Sequence, residues 1–201
     1  MKVKDLERAL LDIAEVRERL AVTQTFKGYS GAAAAFSGLL ALIAGGVQAK
    51  IVPAPSDAHG MRIYFAIWLV CCAASVIVNY GAIAHWFASD ASIRDRWQTR
   101  TVGLSILPAL VVGGALSFAL IRVEQGALLP GLWYCCYGTG LFASRTMIPR
   151  AVVPMAAVFV LAGIGLLFAP PEIALAWWVM PLGFGAMQLA IGYFVHKDRT
   201  A

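Results

Sequence analysis

The sequence predicts an all-α, polytopic membrane protein: six transmembrane helices in three hairpins, preceded by a cytoplasmic amphipathic helix. The first observation behind this fold class is composition. The 201 residues are 60% hydrophobic and only 13% charged, whereas soluble domains carry about 25% charged residues. A soluble protein needs charge to cover its surface, so much of this surface is expected to face lipid. The second observation is that Asp, Glu, Lys and Arg are absent from six long stretches of the chain.

These charge-free windows each contain 20–27 residues. A hydrocarbon core about 30 Å thick needs ~20 residues of helix, and backbone groups in lipid must be satisfied within the segment, which favours helices. The windows are residues 28–49, 63–89, 101–121, 125–144, 151–171 and 173–196. The spans themselves are expected at about 30–49, 63–87, 101–121, 126–145, 151–169 and 173–195. The shortest break, Arg122-Val-Glu124, is expected to be a tight turn.

The distribution of basic residues predicts the orientation. Of the 16 Lys and Arg residues, 13 fall in the N-terminal segment, in 90–100, in 145–150 and at the C-terminus. The alternate loops hold only Lys50, Arg62 and Arg122. Cytoplasmic loops carry the excess of Lys and Arg, so both termini are expected in the cytoplasm and the protein in the inner (plasma) membrane. The predicted regions are 1–27 (cytoplasmic helix and elbow), 28–196 (transmembrane domain) and 197–201 (cytoplasmic tail).

Residues 3–22 have the pattern of an amphipathic helix. Acidic and basic residues balance from Lys2 to Arg19, so attraction to anionic lipid adds little. The apolar stripe is therefore expected to pack on protein, either a partner, a second copy or the chain's own loops. The alternative is a helix that lies on the membrane by its apolar face. The stripe consists of Val3, Leu6, Leu10, Ile13, Val16 and Leu20.

The windows suggest a threefold hairpin repeat, in which the first helix is rich in small residues and the second contains Trp. The alternative is that Gly and Trp are simply common in membrane helices. The small residues are Gly45-Gly46, Gly113-Gly114 and Gly163-Ile-Gly165, and the tryptophans are Trp68, Trp133 and Trp177-Trp178.

Small residues also form a stripe along the first span, where they permit close backbone approach. Contact within the bundle is the default interpretation of this stripe. Docking to another membrane subunit is the alternative, with Gly31, Ala35 and Gly38 as its candidate contacts. The stripe also includes Ala34, Ala41 and Gly45.

Two vicinal cysteine pairs, Cys71-Cys72 and Cys135-Cys136, are predicted near mid-membrane on the second and fourth spans. One thiol from each span would be able to bind a soft metal or form a disulfide. Mercury-transport proteins are similar in placing a Cys-Cys pair in a membrane helix, and the resemblance is limited to that dipeptide. The alternative is that the four residues behave as small hydrophobes.

Polar and aromatic side chains within the windows are the candidate ligand-binding residues. Asn79, Tyr80 and His85 form a polar cluster in the second span, and Gln188 in the sixth span is a potential partner for it. Their alternative role is hydrogen bonding between helices. The remaining candidates, Trp133, Tyr134 and Tyr137, are expected toward the outer side, where they either line a pocket or anchor the protein at the interface.

The most informative functional observation is that no window contains an ionisable Asp, Glu, Lys or Arg well inside it. Ion-coupled transporters usually keep such a group near the midplane, and no catalytic motif is present. We therefore expect a non-catalytic protein without a cofactor, acting as a subunit that docks a partner through its N-terminal helix and first span. Besides the bilayer, a protein partner or self-association is expected. Nucleic acid is not, because the basic residues are dispersed.

Two other functions remain open. One is a transporter or solute-binding component for an uncharged or apolar molecule. In architecture alone, six helices in 201 residues with small residues in the first are similar to the substrate-binding subunits of energy-coupling-factor vitamin transporters. The other is a thiol or soft-metal protein that uses the cysteine pairs.

Overall fold

The computed structural model describes residues 12–13, 30–89, 93–145 and 148–200, and these are almost entirely helical. No strand occurs among the described residues, which confirms the all-α class. Four helical segments are long and apolar enough to cross a membrane, as expected of a membrane protein. They are Gly31–Ile51, Ala58–His85, Ser105–Arg122 and Arg150–Leu167.

The helices follow the order of the charge-free windows along the chain. Glu124 adopts a φ of 58°, a left-handed conformation that turns the chain sharply after the third window. The helices are α1 (Gly31–Ile51), α2 (Ala58–Ser89), α3 (Ile93–Arg122), α4 (Leu129–Ala143), α5 (Val153–Leu167), α6 (Pro171–Ala174) and α7 (Gln188–Thr200). Short 3-10 turns at Gly126–Leu128 and Arg150–Val152 precede α4 and α5, and a π-helical stretch at Pro181–Met187 precedes α7.

The second and third helices extend well beyond their windows. α2 has 32 residues and α3 has 30, so each is about 45–48 Å long, more than a hydrocarbon core of about 30 Å requires. The first turn of α3 contains Arg94, Asp95 and Arg96. The helix therefore continues past the end of its charge-free window.

The fourth and sixth windows are helical but are not among the four candidate spans. α4 has 15 residues, about 22 Å, although the 3-10 turn before it brings the total close to the core thickness. The sixth window contains a short α6, a loop and then the π-helical stretch that leads into α7. The count of six spans therefore stays a prediction.

One close helix contact joins the first long helix to the last one. A Cβ added to Gly31 would lie 2.7 Å from the Gly192 carbonyl oxygen, and one added to Gly38 would lie 2.8 Å from the Gly185 carbonyl oxygen. Any side chain at these positions would force the backbones apart. We call this contact between α1 and the segment Pro181–Thr200 the terminal seam.

A second close contact joins α4 to α5. A Cβ on Gly131 would lie 2.9 Å from the Gly163 carbonyl oxygen, and a Cβ on Gly138 would lie 2.8 Å from the Ala156 carbonyl oxygen. The two helices are antiparallel, because residues later in α4 face residues earlier in α5. Small residues permit this approach, as is usual where membrane helices pack.

These two close contacts do not follow the predicted hairpins. α1 packs on α2, and α3 packs on α4, but the closest backbone contacts join the first window to the sixth and the fourth to the fifth. Within the proposed repeat, Gly113 faces Cys136 of its own hairpin, whereas Gly45 faces Pro181 and Gly163 faces Cys135 of other hairpins. The threefold arrangement of hairpins therefore also stays a prediction.

Large apolar side chains cover the outside of the protein. They are especially frequent on α2 and α3, where only 11% of each candidate span is buried. Such a surface is unusual for a soluble protein and is compatible with contact to a lipid bilayer. The most exposed examples include Val70, Ile77, Val111, Phe118 and Leu161.

Replacement of Gly45 by Ala is expected to destabilise the protein by about 1–3 kcal/mol, because the new methyl group would overlap the Pro181 ring and overpacking carries that cost. The adjacent Gly46→Ala variant is the matched control. A Cβ at Gly46 meets nothing within 4 Å, so this change is expected to be neutral or stabilising by up to about 1 kcal/mol. Unfolding in mixed detergent micelles measures both, and equal losses would contradict the terminal seam.

Candidate functional site

The interior of the described protein holds no charged group. Every Asp, Glu, Lys and Arg whose side chain the structure describes is exposed, and so are His59, His85 and His196. Nor do His, Cys, Asp and Glu form a group able to hold a metal ion within that part of the chain. Any chemistry of the interior therefore rests on neutral polar and aromatic side chains.

Gln48 connects three segments of the chain from a fully buried position. Its side-chain amide donates to the carbonyl of Leu175 over 2.9 Å, and its side-chain carbonyl accepts from the Trp68 indole over 2.9 Å. The neighbouring loop adds a backbone bond from Trp177 to Pro53. Sequence reasoning missed Gln48 because it lies at the end of its window, where an amide is equally expected at the interface.

Tyr134 holds the irregular start of the last helical segment. Its hydroxyl donates to the Val179 carbonyl and also contacts the backbone N–H of Gly183. In a regular α-helix these two backbone groups would bond to each other, so the tyrosine hydroxyl is inserted into the ladder. Such insertion interrupts a helix, and the π-helical stretch begins at this point, at Pro181.

The residue opposite this hydroxyl has to be glycine. A Cβ on Gly183 would overlap the Tyr134 ring. The Tyr134 ring also packs edge-on against Phe184 with centroids 5.2 Å apart, and against Phe159 at 5.4 Å. These contacts join α4, α5 and the π-helical stretch, so Tyr134 has a structural role even though it was predicted as a ligand-binding or interfacial residue.

Gln188 pairs with Tyr137, one turn further along α4. Its side-chain amide donates to the Tyr137 hydroxyl over 2.6 Å, whereas its side-chain carbonyl oxygen has no hydrogen-bond partner in the described part of the protein. The structure pairs Gln188 with Tyr137 on α4 and not with the predicted cluster of Asn79, Tyr80 and His85 on α2. The sequence could not distinguish these partners without knowing which helices are neighbours.

The polar cluster predicted on α2 is dispersed. Asn79 donates to the Ser37 hydroxyl over 2.7 Å and to the Ser75 carbonyl over 2.9 Å, so it ties α2 to α1. Tyr80 and His85 are exposed. The structure therefore places Asn79 in helix packing and leaves Tyr80 and His85 on the outside.

Trp133 lies between α2, α3 and α4. Its indole N–H donates to the Ser117 hydroxyl over 2.8 Å, and its ring is parallel to that of Tyr64 with centroids 6.4 Å apart. Tyr64 was not predicted from the sequence, because it begins the second window and resembles an interfacial anchor. Its hydroxyl is buried and has no hydrogen-bond partner within the described chain.

The four cysteines are free, and they belong to no group of three or more potential metal ligands among the described residues. A Cβ at Gly163 would lie 2.6 Å from the Cys135 sulfur, and one at Gly113 would lie 3.2 Å from the Cys136 sulfur. The two members of this pair therefore face different helices, α5 and α3. On α2, Cys71 is half-buried and Cys72 is exposed.

The docking candidates fall into two groups. Gly31 and Gly38 lie in the terminal seam, and Ala35 faces Gly192 there, so the last helix covers this face of α1. In the amphipathic helix only Asp12 and Ile13 are described, both helical, and Ile13 is 50% exposed. Its other predicted contacts, Leu6, Leu10, Val16 and Leu20, lie outside the described residues.

Comparison of the chain with known protein families, curated proteins and solved structures finds no match. A functional interpretation therefore depends on the geometry described above.

Removal of the Tyr134 hydroxyl by Tyr134→Phe is expected to destabilise the protein by about 1–3 kcal/mol, because the Val179 carbonyl loses its buried donor. Tyr193→Phe is the control, since Tyr193 is 61% exposed and surface changes usually stay within about 0.5 kcal/mol. Detergent unfolding curves compare the two variants. A loss no larger than that of the control would show that the inserted hydroxyl does not hold the helix start.

Proposed function

We propose that this chain is a non-catalytic integral membrane subunit or accessory protein that docks a partner through its N-terminal helix. The observation that carries the proposal is how the interior uses its polar groups. Gln48, Asn79, Ser117 and Tyr134 all bond across helices, and the described charged side chains are all outside. The described interior therefore has no carboxylate, Lys, Arg or His side chain of the kind that acid–base or ion-coupled chemistry usually uses.

Helix pairing supports six spans. The terminal seam aligns Gly185 and Gly192 with Gly38 and Gly31 of α1, so a membrane that contains α1 also contains the segment beside it. The close contact between α4 and α5 supports a similar depth for these two helices in the same way.

The charge distribution supports a multi-pass inner-membrane protein with both termini in the cytoplasm. The 13 basic residues on one side against three on the other favour this orientation. Arg145, Arg150 and Lys197, which belong to the larger set, are all exposed.

Labelling of single cysteines distinguishes six spans from four. In a background with all four native cysteines replaced by Ala, six spans place Glu172→Cys outside the cell and Arg150→Cys inside. If only the four candidate spans crossed, the two positions would exchange sides. A membrane-impermeant maleimide applied to intact cells is therefore expected to label Glu172→Cys and not Arg150→Cys. Ser56→Cys is the positive control, because the α1–α2 loop faces outward in both arrangements.

The N-terminal stripe is the docking surface we favour. The small-residue face of α1 is covered by the last helix, so Gly31, Ala35 and Gly38 are not free to receive another subunit. In contrast, Ile13 is half exposed, and the balanced charges of its helix give little attraction to anionic lipid. A protein surface, from another chain or from a second copy, is the occupant that this chemistry fits.

Ile13→Glu is expected to weaken partner association at least about tenfold, because burial of an Ile side chain contributes about 1.5–3 kcal/mol. Arg8→Gln is the control, because it lowers the net charge by the same amount but lies on the predicted polar face. This variant is expected to retain the partner. Both variants should keep the unfolding midpoint of the unmodified protein. Light scattering of the purified complex identifies a partner or a second copy by mass. Equal losses in the two variants, or association only with lipid vesicles, would contradict the proposal.

The alternative of a component that binds an uncharged solute stays a prediction from the sequence. The thiol or soft-metal alternative gains no support, since all four cysteines are free and no group of three or more potential metal ligands occurs among the described residues.

A further inference from the structure

Outside residues 1–29, the charged residues are distributed unevenly between the two ends of the helical bundle. At one end, the backbone N–H of Trp177 donates to the Pro53 carbonyl, and a Cβ on Gly126 would lie 2.7 Å from the Met61 sulfur. These contacts bring together the α1–α2 loop, the α3–α4 turn and the segment after α6. We call this the balanced end, because its three basic residues match three acidic ones. They are Lys50, Arg62, Arg122, Asp57, Glu124 and Glu172.

The opposite end, which we call the basic end, has an excess of positive charge. There a Cβ on Gly31 would lie 3.1 Å from the backbone nitrogen of His196, and α7 packs on the turn Arg150–Val152. The connecting and terminal segments at this end are residues 90–100, 145–150 and 197–199. Together they carry seven Lys and Arg residues and only three Asp. The charged side chains that the structure describes in these segments are Arg145, Arg150 and Lys197, and all are exposed.

Arg145 and Arg150 lie at the same level of the basic end. Gly138 on α4 faces Ala156 on α5, because a Cβ on Gly138 would lie 2.8 Å from the Ala156 carbonyl oxygen. Arg145 follows Gly138 by seven residues, and Arg150 precedes Ala156 by six. In two antiparallel helices that touch, these offsets place both arginines about 10 Å beyond the contact. The two cations therefore flank one short turn.

The Arg145 side chain is held at the edge of an exposed apolar surface. Its guanidinium lies 5.2 Å from the centroid of the Phe142 ring, and its Nη1 donates to the Phe142 carbonyl over 3.3 Å. Phe142 itself is 45% exposed. A guanidinium has five N–H donors, so this bond leaves donors available for an anion. An apolar ring beside a cation matches the acyl chain and the headgroup of a lipid.

We propose that the basic end binds the phosphate groups of anionic phospholipids through Arg145 and Arg150. Charge complementarity favours an anion, and arginine binds phosphate oxygens through two parallel hydrogen bonds. The exposed apolar surface beside the arginines favours a lipid over a soluble acidic protein, which would match only the charge. Basic residues next to a membrane attract anionic lipids in this way. The site is separate from the N-terminal docking surface, so Ile13→Glu is expected to leave lipid binding unchanged.

The test measures which lipids the purified protein retains from detergent micelles that contain equimolar phosphatidylglycerol and phosphatidylcholine. Native mass spectrometry counts the bound lipids, and the unmodified protein is expected to prefer phosphatidylglycerol. The double variant Arg145→Gln/Arg150→Gln is expected to lower this preference roughly 25-fold, or about fivefold for each charge removed. Arg62→Gln/Arg122→Gln is the matched control, because it removes the same charge from the balanced end. This control is expected to keep the preference.

All four arginines are exposed, so both double variants should keep the unfolding midpoint of the unmodified protein. A third variant, Arg145→Lys/Arg150→Lys, keeps the charge and is expected to keep most of the lipid preference.

Three results would overturn the proposal. The first is an unmodified protein that shows no preference for phosphatidylglycerol, even if it binds inorganic phosphate. The second is an equal loss of preference in the two glutamine variants. The third is a glutamine variant of Arg145 and Arg150 that keeps the lipid preference but loses a protein partner.

Discussion

The contact between the first and last helices is the constraint on which the other contacts depend. At Gly31 and Gly192, and again at Gly38 and Gly185, the backbones approach so closely that a single Cβ would separate them. This approach fixes the register of the last segment, and at its far end the Pro181 ring lies against Gly45. That position in turn places Val179 and Gly183 beside the Tyr134 hydroxyl, so the helix start is shaped by α1 on one side and by α4 on the other.

Polar side chains in this bundle act mainly between helices. Gln48 joins α1 to α2 and to the segment after α6, Asn79 joins α2 to α1, and Tyr134 joins α4 to the π-helical stretch. Each hydrogen bond of this kind contributes modestly to the stability of a membrane protein. Each one also specifies which helices are neighbours. Side chains that are bonded between helices in this way are not free to contact a substrate. The proposed function therefore lies at the amphipathic N-terminus.

The sequence predicted the polar candidates by residue type and missed their partners. Tyr134 and Gln188 were identified because they interrupt apolar windows, yet both bond to groups more than 40 residues away. Gln48 and Tyr64 were missed because both lie near window ends, where polar and aromatic side chains are common at the interface. The glycines show the same limit of sequence-based prediction. Gly45 and Gly46 are neighbours that no sequence pattern distinguishes, yet of the two only Gly45 faces another helix.

By itself, the sequence determined the helical class, the membrane environment and the neutral interior. These depend on composition and on the spacing of charges, and lipid imposes them on each segment separately. Tertiary structure alone decided which helices are neighbours, which glycines are required and where the last helix changes its hydrogen bonding. The physical reason is that an apolar helix in lipid has no preferred partner until small residues and buried polar groups meet a complementary surface. Those surfaces come from distant parts of the chain, and no local pattern encodes their alignment.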